Sequence, residues 1–344
     1  MLTLLSLRGV SLRVAMRNVI QRAVPFAMAL GFVCVAAHVH AQQAADWPNK
    51  PVRFIVPFPP GGSVDPLARL TGARLNAALG QQFVVDNRTG GSGAIGTALG
   101  AKSTPDGYTY VFVFDTHAVN PSLIPNLPYD TLKDLASVML VGTAPMVLTT
   151  NPAKPFKSFD DVVKLAKAKP ATLTFGSVGS GSLGHLAMML VQQHAGIKMI
   201  HIPYKGGGPA TTDAIGGQID FAVTSVAVPG PHIRAGRLRA VVTTGEKRSH
   251  TNPDTPTLIE SGLPGLTAQA WWGIVTPAGI PQPLLNKMHG ELVKTYNQPE
   301  LRKQLTEQFG MDMVVSTPQA MTKFVVAEMT RWSKVVKENG IRSD

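Results

Sequence analysis

Glycine, serine and threonine gather in this sequence where short β-rich runs give way to helical ones. Such clusters suit recognition of an anion better than bond breaking. The first is Pro59-Pro60-Gly61-Gly62-Ser63-Val64-Asp65. Its two glycines let backbone approach a ligand closely. The helix that begins near Val64 adds N–H groups and a positive dipole end that hold a carboxylate or phosphate. Pro60, Gly61, Gly62 and Ser63 are therefore candidate ligand contacts, and Asp65 either meets a ligand amine or caps its own helix. The second cluster, Ser177-Val178-Gly179-Ser180-Gly181-Ser182-Leu183-Gly184-His185, forms another anion-friendly nest at a helix start. Its candidates are Ser177, Gly179, Ser180, Ser182 and His185. A third, Asp115-Thr116-His117, puts Thr116 and His117 at a strand end, where His117 is either a ligand contact or structural.

Other chemistries fit poorly. None of Ser177, Ser180 or Ser182 has glycine two residues away on both sides, so the nucleophile elbow is absent. His185 follows Ser182 by three residues, whereas triad partners come from separate elements. No activated nucleophile or paired acid and base emerges. The chain is expected not to be an enzyme, the rival being a secreted hydrolase or isomerase acting on a small carboxylate. Gly91-Ser92-Gly93-Ala94-Ile95-Gly96 matches a dinucleotide fingerprint letter for letter, but Asn87-Arg88-Thr89-Gly90 separates it from its strand, and that strand is the second. No cofactor is expected. Without His-x-x-His or His-Glu-x-x-His spacing, no metal site is expected either.

The elements that position these loops follow a strand–helix rhythm. Val52 to Phe58 reads as a buried strand, Val64 to Leu79 as a helix stopped by Gly80, Phe83 to Asp86 as a strand, residues 94–102 as a small-residue helix, and Tyr108 to Phe114 as a strand. The rhythm resumes from Met146 to Val242, and helices dominate the C-terminal part. Pro-rich stretches at 151–155, 253–256 and 276–281 read as connections. About 300 residues exceed what one core usually serves. Two α/β lobes are therefore expected, each a mainly parallel sheet flanked by helices, with more than one crossing of the chain between them. Trp271-Trp272-Gly273 is either core or an apolar cleft wall.

The N-terminus carries Arg8, Arg13, Arg17 and Arg22, no acidic residue before position 42, and an apolar run from about Ala23 to Ala37. This is the layout of a secretory signal peptide over residues 1–41, with cleavage after Ala41 and a periplasmic destination. Cleavage lowers the formal net charge from +11 to +7 and removes Cys34, the only cysteine. The remaining positive charge suits anionic ligands or serves solubility. Basic residues scattered in ones and twos, with 6% aromatics, exclude nucleic acid as a partner.

The loops, in their order and spacing, resemble those of the Bug receptors, extracytoplasmic binding components similar to those of tripartite tricarboxylate transporters. The marks are Pro57-Phe58-Pro59-Pro60-Gly61-Gly62-Ser63-Val64-Asp65, Asn87-Arg88-Thr89-Gly90-Gly91-Ser92-Gly93, Pro105-Asp106-Gly107-Tyr108, His117-Ala118-Val119-Asn120-Pro121, Tyr204-Lys205-Gly206-Gly207-Gly208-Pro209, Gly216-Gly217-Gln218-Ile219-Asp220 and Pro231-His232-Ile233-Arg234-Ala235-Gly236. The resemblance implies a type II periplasmic-binding-protein fold that closes like a Venus flytrap. Lobe 1 is expected over 46–143 plus 271–344, and lobe 2 over 144–270. It further implies a small organic carboxylate held by backbone N–H groups, hydroxyls and waters from the first two loops. Asp65, Thr116 and His117 would complete the first lobe's face. Thr224-Ser225 stands where such receptors often carry Asp-Ser, and would tune specificity. The protein would act as a monomer and serve a membrane transporter or sensor.

Overall fold

A computed structural model describes residues 46–341. The leader assigned to 1–41, its cleavage point and Cys34 lie outside the described residues. From Pro48 onward the chain folds around one curled, mixed sheet of ten strands.

Its first half grows from β1 (Val52–Val56), which runs parallel to β2 (Phe83–Asn87) on one side and to β3 (Thr109–Val113) on the other. Helix α1 (Val64–Leu79) buries Leu67, Ala68 and Leu75, and stops where Gly80 turns left-handed at φ 67°. Glycine carries no Cβ penalty there. Helix α2 (Ala94–Ala101) follows a short 3-10 turn, and α3 (Thr116–Leu123) follows β3.

The strand β4 (Leu135–Thr150) belongs to both halves of the sheet. Its residues 135–145 pair antiparallel with β9 (Gln269–Pro277), which itself lies antiparallel to β3. From Met146 onward β4 pairs instead with β7 (Phe221–Ser225) and β8 (Arg239–Thr243). Beyond them β5 (Thr174–Ser177) runs parallel to β7 and to β6 (Ile200–Pro203). Each half thus holds a parallel trio, and antiparallel strands occupy the middle of the sheet because the chain passes out along β4 and back along β9. The segment from 276, expected as a connection, begins inside β9.

The second half is covered by α4 (Phe159–Ala168), α5 (Leu183–Ala195), α6 (Gly207–Ile215) and the short α7 (Gly230–Arg234). The chain ends with α8 (Gln282–Tyr296), α9 (Pro299–Phe309), β10 (Asp312–Met313) beside β4, and α10 (Pro318–Glu338) on α3 and β4. Period-two alternation sends neighbouring tryptophans of β9 to opposite faces. Trp271 joins the core beneath α10 with Met321 and Val325, whereas Trp272 packs on Phe114, ring centroids 5.4 Å apart. No described helix is long and apolar enough to cross a membrane.

The fingerprint-like glycines of α2 serve packing. A Cβ on Gly96 would lie 2.5 Å from the Arg88 carbonyl oxygen and 2.9 Å from Pro57 Cα, both of them backbone atoms. Gly96→Ala should therefore destabilise the fold by about 1–3 kcal/mol, as overpacking does. An unchanged urea midpoint would show that α2 can shift without cost.

Candidate ligand-binding site

The loops at the C-terminal ends of β1 and β3 face those after β5, β6 and β7, which is where open α/β sheets take ligands. They meet along a seam with little side chain between them. A Cβ on Gly208 would lie 2.8 Å from the Gly61 carbonyl oxygen, and one on Gly206 would lie 2.9 Å from the Pro59 ring. Gly181, at φ 71°, would place a Cβ 1.9 Å from Leu123 Cδ2.

Two recesses open on this seam. The inner one, about 10 Å3, is lined by Gly62, Ser63, Thr224 and Ser225 with Phe58, Phe114, Val178 and Gly207. It has room for about one water molecule. The outer one, about 210 Å3, includes Ser92, Leu123, Gly179, Ser180, Tyr204 and Lys205. Ser92 holds φ 50°, uncommon for a residue with a side chain, and donates its hydroxyl to the Ser180 carbonyl oxygen at 3.0 Å.

Ser63 sits at the start of α1 without capping it. Its Oγ accepts from Trp272 Nε1 at 3.1 Å and from Ser225 Oγ at 3.5 Å, which leaves its own proton for donation. Thr224 Oγ1 donates weakly to the Ser225 carbonyl at 3.4 Å. Pro60 and Gly61 form the exposed rim of the same loop.

The second loop is locked from within. Ser182 donates to Ser177 Oγ at 3.0 Å, Ser177 donates to the Gly179 carbonyl at 2.9 Å, and His201 Nε2 lies 2.8 Å from Ser177 Oγ. His185 stacks on His201 at 3.8 Å, and its Nδ1 accepts the Gly181 N–H. Ser182 also caps α5 by accepting from His185 N. Ser177, Ser182 and His185 therefore shape the loop, while Gly179 and Ser180 face the outer recess.

Pro60, Gly61, Asp65, Thr116, His117, Ser177, Ser182 and His185 line neither recess, and of these Asp65 and His117 have their side chains engaged elsewhere. Both Asp65 oxygens accept from Arg69 Nε, at 3.1 and 2.9 Å, and Oδ1 also accepts from Asn87 Nδ2. Asp65 thus neither caps α1 nor turns to the seam. Its i,i+4 spacing to Arg69 is a signal visible in the sequence. His117 lines a separate recess of about 320 Å3 with Thr131, Leu285 and Val325, edge-on to Trp271. Burial pushes its pKa down to about 4, so the ring is neutral. Thr116, one residue earlier, is buried at the seam end of β3.

Asp115 and His201 escaped the sequence reading. Asp115 is 1% exposed, its Oδ1 accepts the Leu183 N–H of α5 across the seam at 3.4 Å, and its Oδ2 has no partner among the described residues. Burial, reinforced by the charge of Glu328, pushes its pKa up to about 8. A larger recess of about 640 Å3 lies by Pro145, Arg248, His250 and Gln269, lined in part by the segment that follows β8. There Arg248 is held by Glu260 and His250 by the Thr306 carbonyl.

With this geometry in view, residues 67–341 match the tripartite tricarboxylate transporter family receptor. The chain belongs to that family. It is 37% identical to protein BugT of Bordetella pertussis over 319 residues, covering 91% of this chain and 97% of the relative. The solved structure of the periplasmic binding protein BugD superposes with a TM-score of 0.82 at 28% identity, over 87% of this chain and all of that one. An R. palustris protein solved with adipate gives a TM-score of 0.83 at 32% identity, over 86% of this chain and 99% of that one. The fold is the two-lobed periplasmic-binding-protein type, as the motifs implied, and the protein is a Bug-type receptor.

If the seam is the closing surface, Gly208→Ala should spare the fold of either half but keep the halves from meeting. Ligand affinity should fall at least about tenfold, the effect of roughly 1.4 kcal/mol, with little change in the melting temperature of the protein alone. Affinity equal to the unaltered chain would remove Gly61–Gly208 from the closing surface.

Proposed function

We propose that this receptor works outside the cytoplasm, capturing a small organic acid between its halves without transforming it, for uptake or sensing. The observation that carries the reading is the seam itself. Backbone, hydroxyls and the starts of α1 and α5 converge there with no cationic side chain in the inner recess, an arrangement that suits a carboxylate held by N–H and O–H donors. Ser63 with its available proton, Gly62, Thr224, Ser225, Gly179 and Ser180 are the proposed contacts, backed by Pro60, Gly61, Thr116, Ser177, Ser182 and His185. Asp65 acts through Arg69 and Asn87 to hold the first loop. The adipate-bound relative supports a dicarboxylate class.

The proposed lobes are 46–143 plus 271–344, and 144–270. Ala144 pairs with Ala270 one step before β4 leaves β9 at Pro145, and the proposed hinge lies there. An inner recess of about 10 Å3 is smaller than an organic acid, so the halves must part to admit one. Closure would then be a ligand-driven population shift. The leader at 1–41 supports export to the periplasm, and the protein would act as a monomer beside a membrane transporter or sensor. Against the hydrolase rival, Ser177 is fully buried and its hydroxyl is engaged within its own loop by the Gly179 carbonyl.

A thermal-shift screen of residues 42–344 against mono-, di- and tricarboxylates, amino acids and aromatic acids tests this reading. A ligand at a hundredfold excess over its dissociation constant stabilises by about 2.7 kcal/mol. A clear shift with an acid recovered unchanged is the expected result; no shift, or consumption of the compound, would overturn it. Gly62→Leu should fill the inner recess and abolish the shift. The added side chain has space on the protein side, where the nearest atom to a Gly62 Cβ is the Pro59 oxygen at 3.8 Å. An unchanged shift in that variant would move the ligand elsewhere.

A further inference from the structure

We propose that Asp115 joins the ligand site as a protonated acid that donates a hydrogen bond from Oδ2 to a ligand carboxylate oxygen, so that closure on the anion takes up one proton. This rests on the receptor reading above and deepens it.

The placement comes first. Asp115 follows β3 directly, next to Phe114, which lines the inner recess. Its Oδ1 already occupies the N–H of Leu183, at the α5 terminus where an incoming anion would be drawn. An ionised Asp115 and a ligand carboxylate would crowd one helix end, and two carboxylates sharing a site do not both stay ionised. The shared-proton arrangement removes the conflict. In a neutral acid the carbonyl oxygen accepts from Leu183, and the hydroxyl becomes a donor that needs an acceptor. Oδ2 has none among the described residues. An unpaired buried donor is costly, and a ligand carboxylate supplies the missing partner.

The surroundings favour the neutral form. Burial raises the Asp115 pKa to about 8, and Glu328 on α10 adds a negative charge that acts in the same direction. His117, two residues further on in α3, is held neutral by burial, so it brings no compensating cation. On the opposing helix α5, His185 lies two residues past Leu183 with its Nδ1 taken by the Gly181 N–H, and His194 sits in the last turn, at the far end, beside the Leu190 carbonyl.

With the halves apart and the carboxyl in water, Asp115 ionises near its ordinary value of about 4. Once shut in, it stays protonated up to about 8. Between those limits, closing takes up a proton, so binding strengthens as pH falls and weakens as pH rises. The limiting slope for one proton is about tenfold in affinity per pH unit.

The test uses residues 42–344 with adipate and malate as probes, by titration calorimetry between about pH 6.5 and 8, where both probe carboxylates are ionised. At pH 7 the heat should differ between two buffers of unlike ionisation enthalpy by the equivalent of close to one proton taken up. The dissociation constant should rise by close to tenfold per pH unit. Asp115→Asn, which keeps an acceptor for Leu183 and a donor for the ligand, should lose that slope and bind more tightly than the unaltered chain at pH 8. Binding with no proton uptake, or an Asp115→Asn variant with the full slope, would overturn the proposal while leaving the receptor intact. Should Asp115→Asn fail to fold, the buffer comparison on the unaltered chain decides alone. Failure of either acid to bind, with no other acid of the screen binding, would take down the receptor reading and this proposal with it.

Discussion

Backbone meets backbone where Gly61 lies against Gly208, and the proposed site depends on that contact. A side chain at Gly208 would hold the loops apart, because the nearest atoms to its Cβ are the backbone oxygen and carbon of Gly61, which cannot move aside. In the proposed site, recognition falls to what such closeness leaves: N–H groups at the starts of α1 and α5, hydroxyls of Ser63, Thr224 and Ser225, and the acid proposed at Asp115. Short, directional donors of this kind hold a carboxylate without burying an ion pair, which would carry a heavy desolvation cost.

The sheet explains how two such surfaces can face one another. β4 gives its first eleven residues to one half and its last five to the other, and β9 brings the chain back beside it. Strand continuity keeps the halves in register, and the side-chain hydrogen bonds that cross the seam include Ser92 to Ser180, Asp115 to Leu183 and Ser225 to Ser63. These bonds are long or single, whereas the histidine-serine network behind the second loop is dense and confined to one half. The hydrogen-bond network of the second loop thus lies within one half, whereas these three bonds run between the halves. That is the distribution a closing receptor requires.

Local features of this arrangement were legible in the sequence. Helix α1, its left-handed stop at Gly80, the capped start of α4 at Ser158 and the small-residue loops all follow from rules that act within a few residues. The crossing strands did not show. Residues 135–145 and 269–277 are apolar without clean alternation and are interrupted by Gly142, Pro145 and Gly273, and their pairing partners lie over a hundred residues away. Asp115 and His201 were hidden too, because their partners, Leu183 of α5 and Ser177, lie on other elements that only the fold brings near. His117 shows the converse: a polar residue at a strand end whose side chain the turn of α3 directs toward β9 and α10. The partner of Asp65, Arg69 four residues on, was legible in the sequence as an i,i+4 pair.

The most direct test of the account is a crystal structure of residues 42–344 grown with the acid that stabilises it most. The account places the ligand carboxylate between the Gly62–Ser63 loop and the start of α5, within hydrogen-bonding distance of Ser63 Oγ and the Asp115 carboxyl, with the two halves shut over it. Ligand bound instead in the recess beside His117 or at Pro145, or bound at the seam with Ser63 and Asp115 turned away, would contradict it.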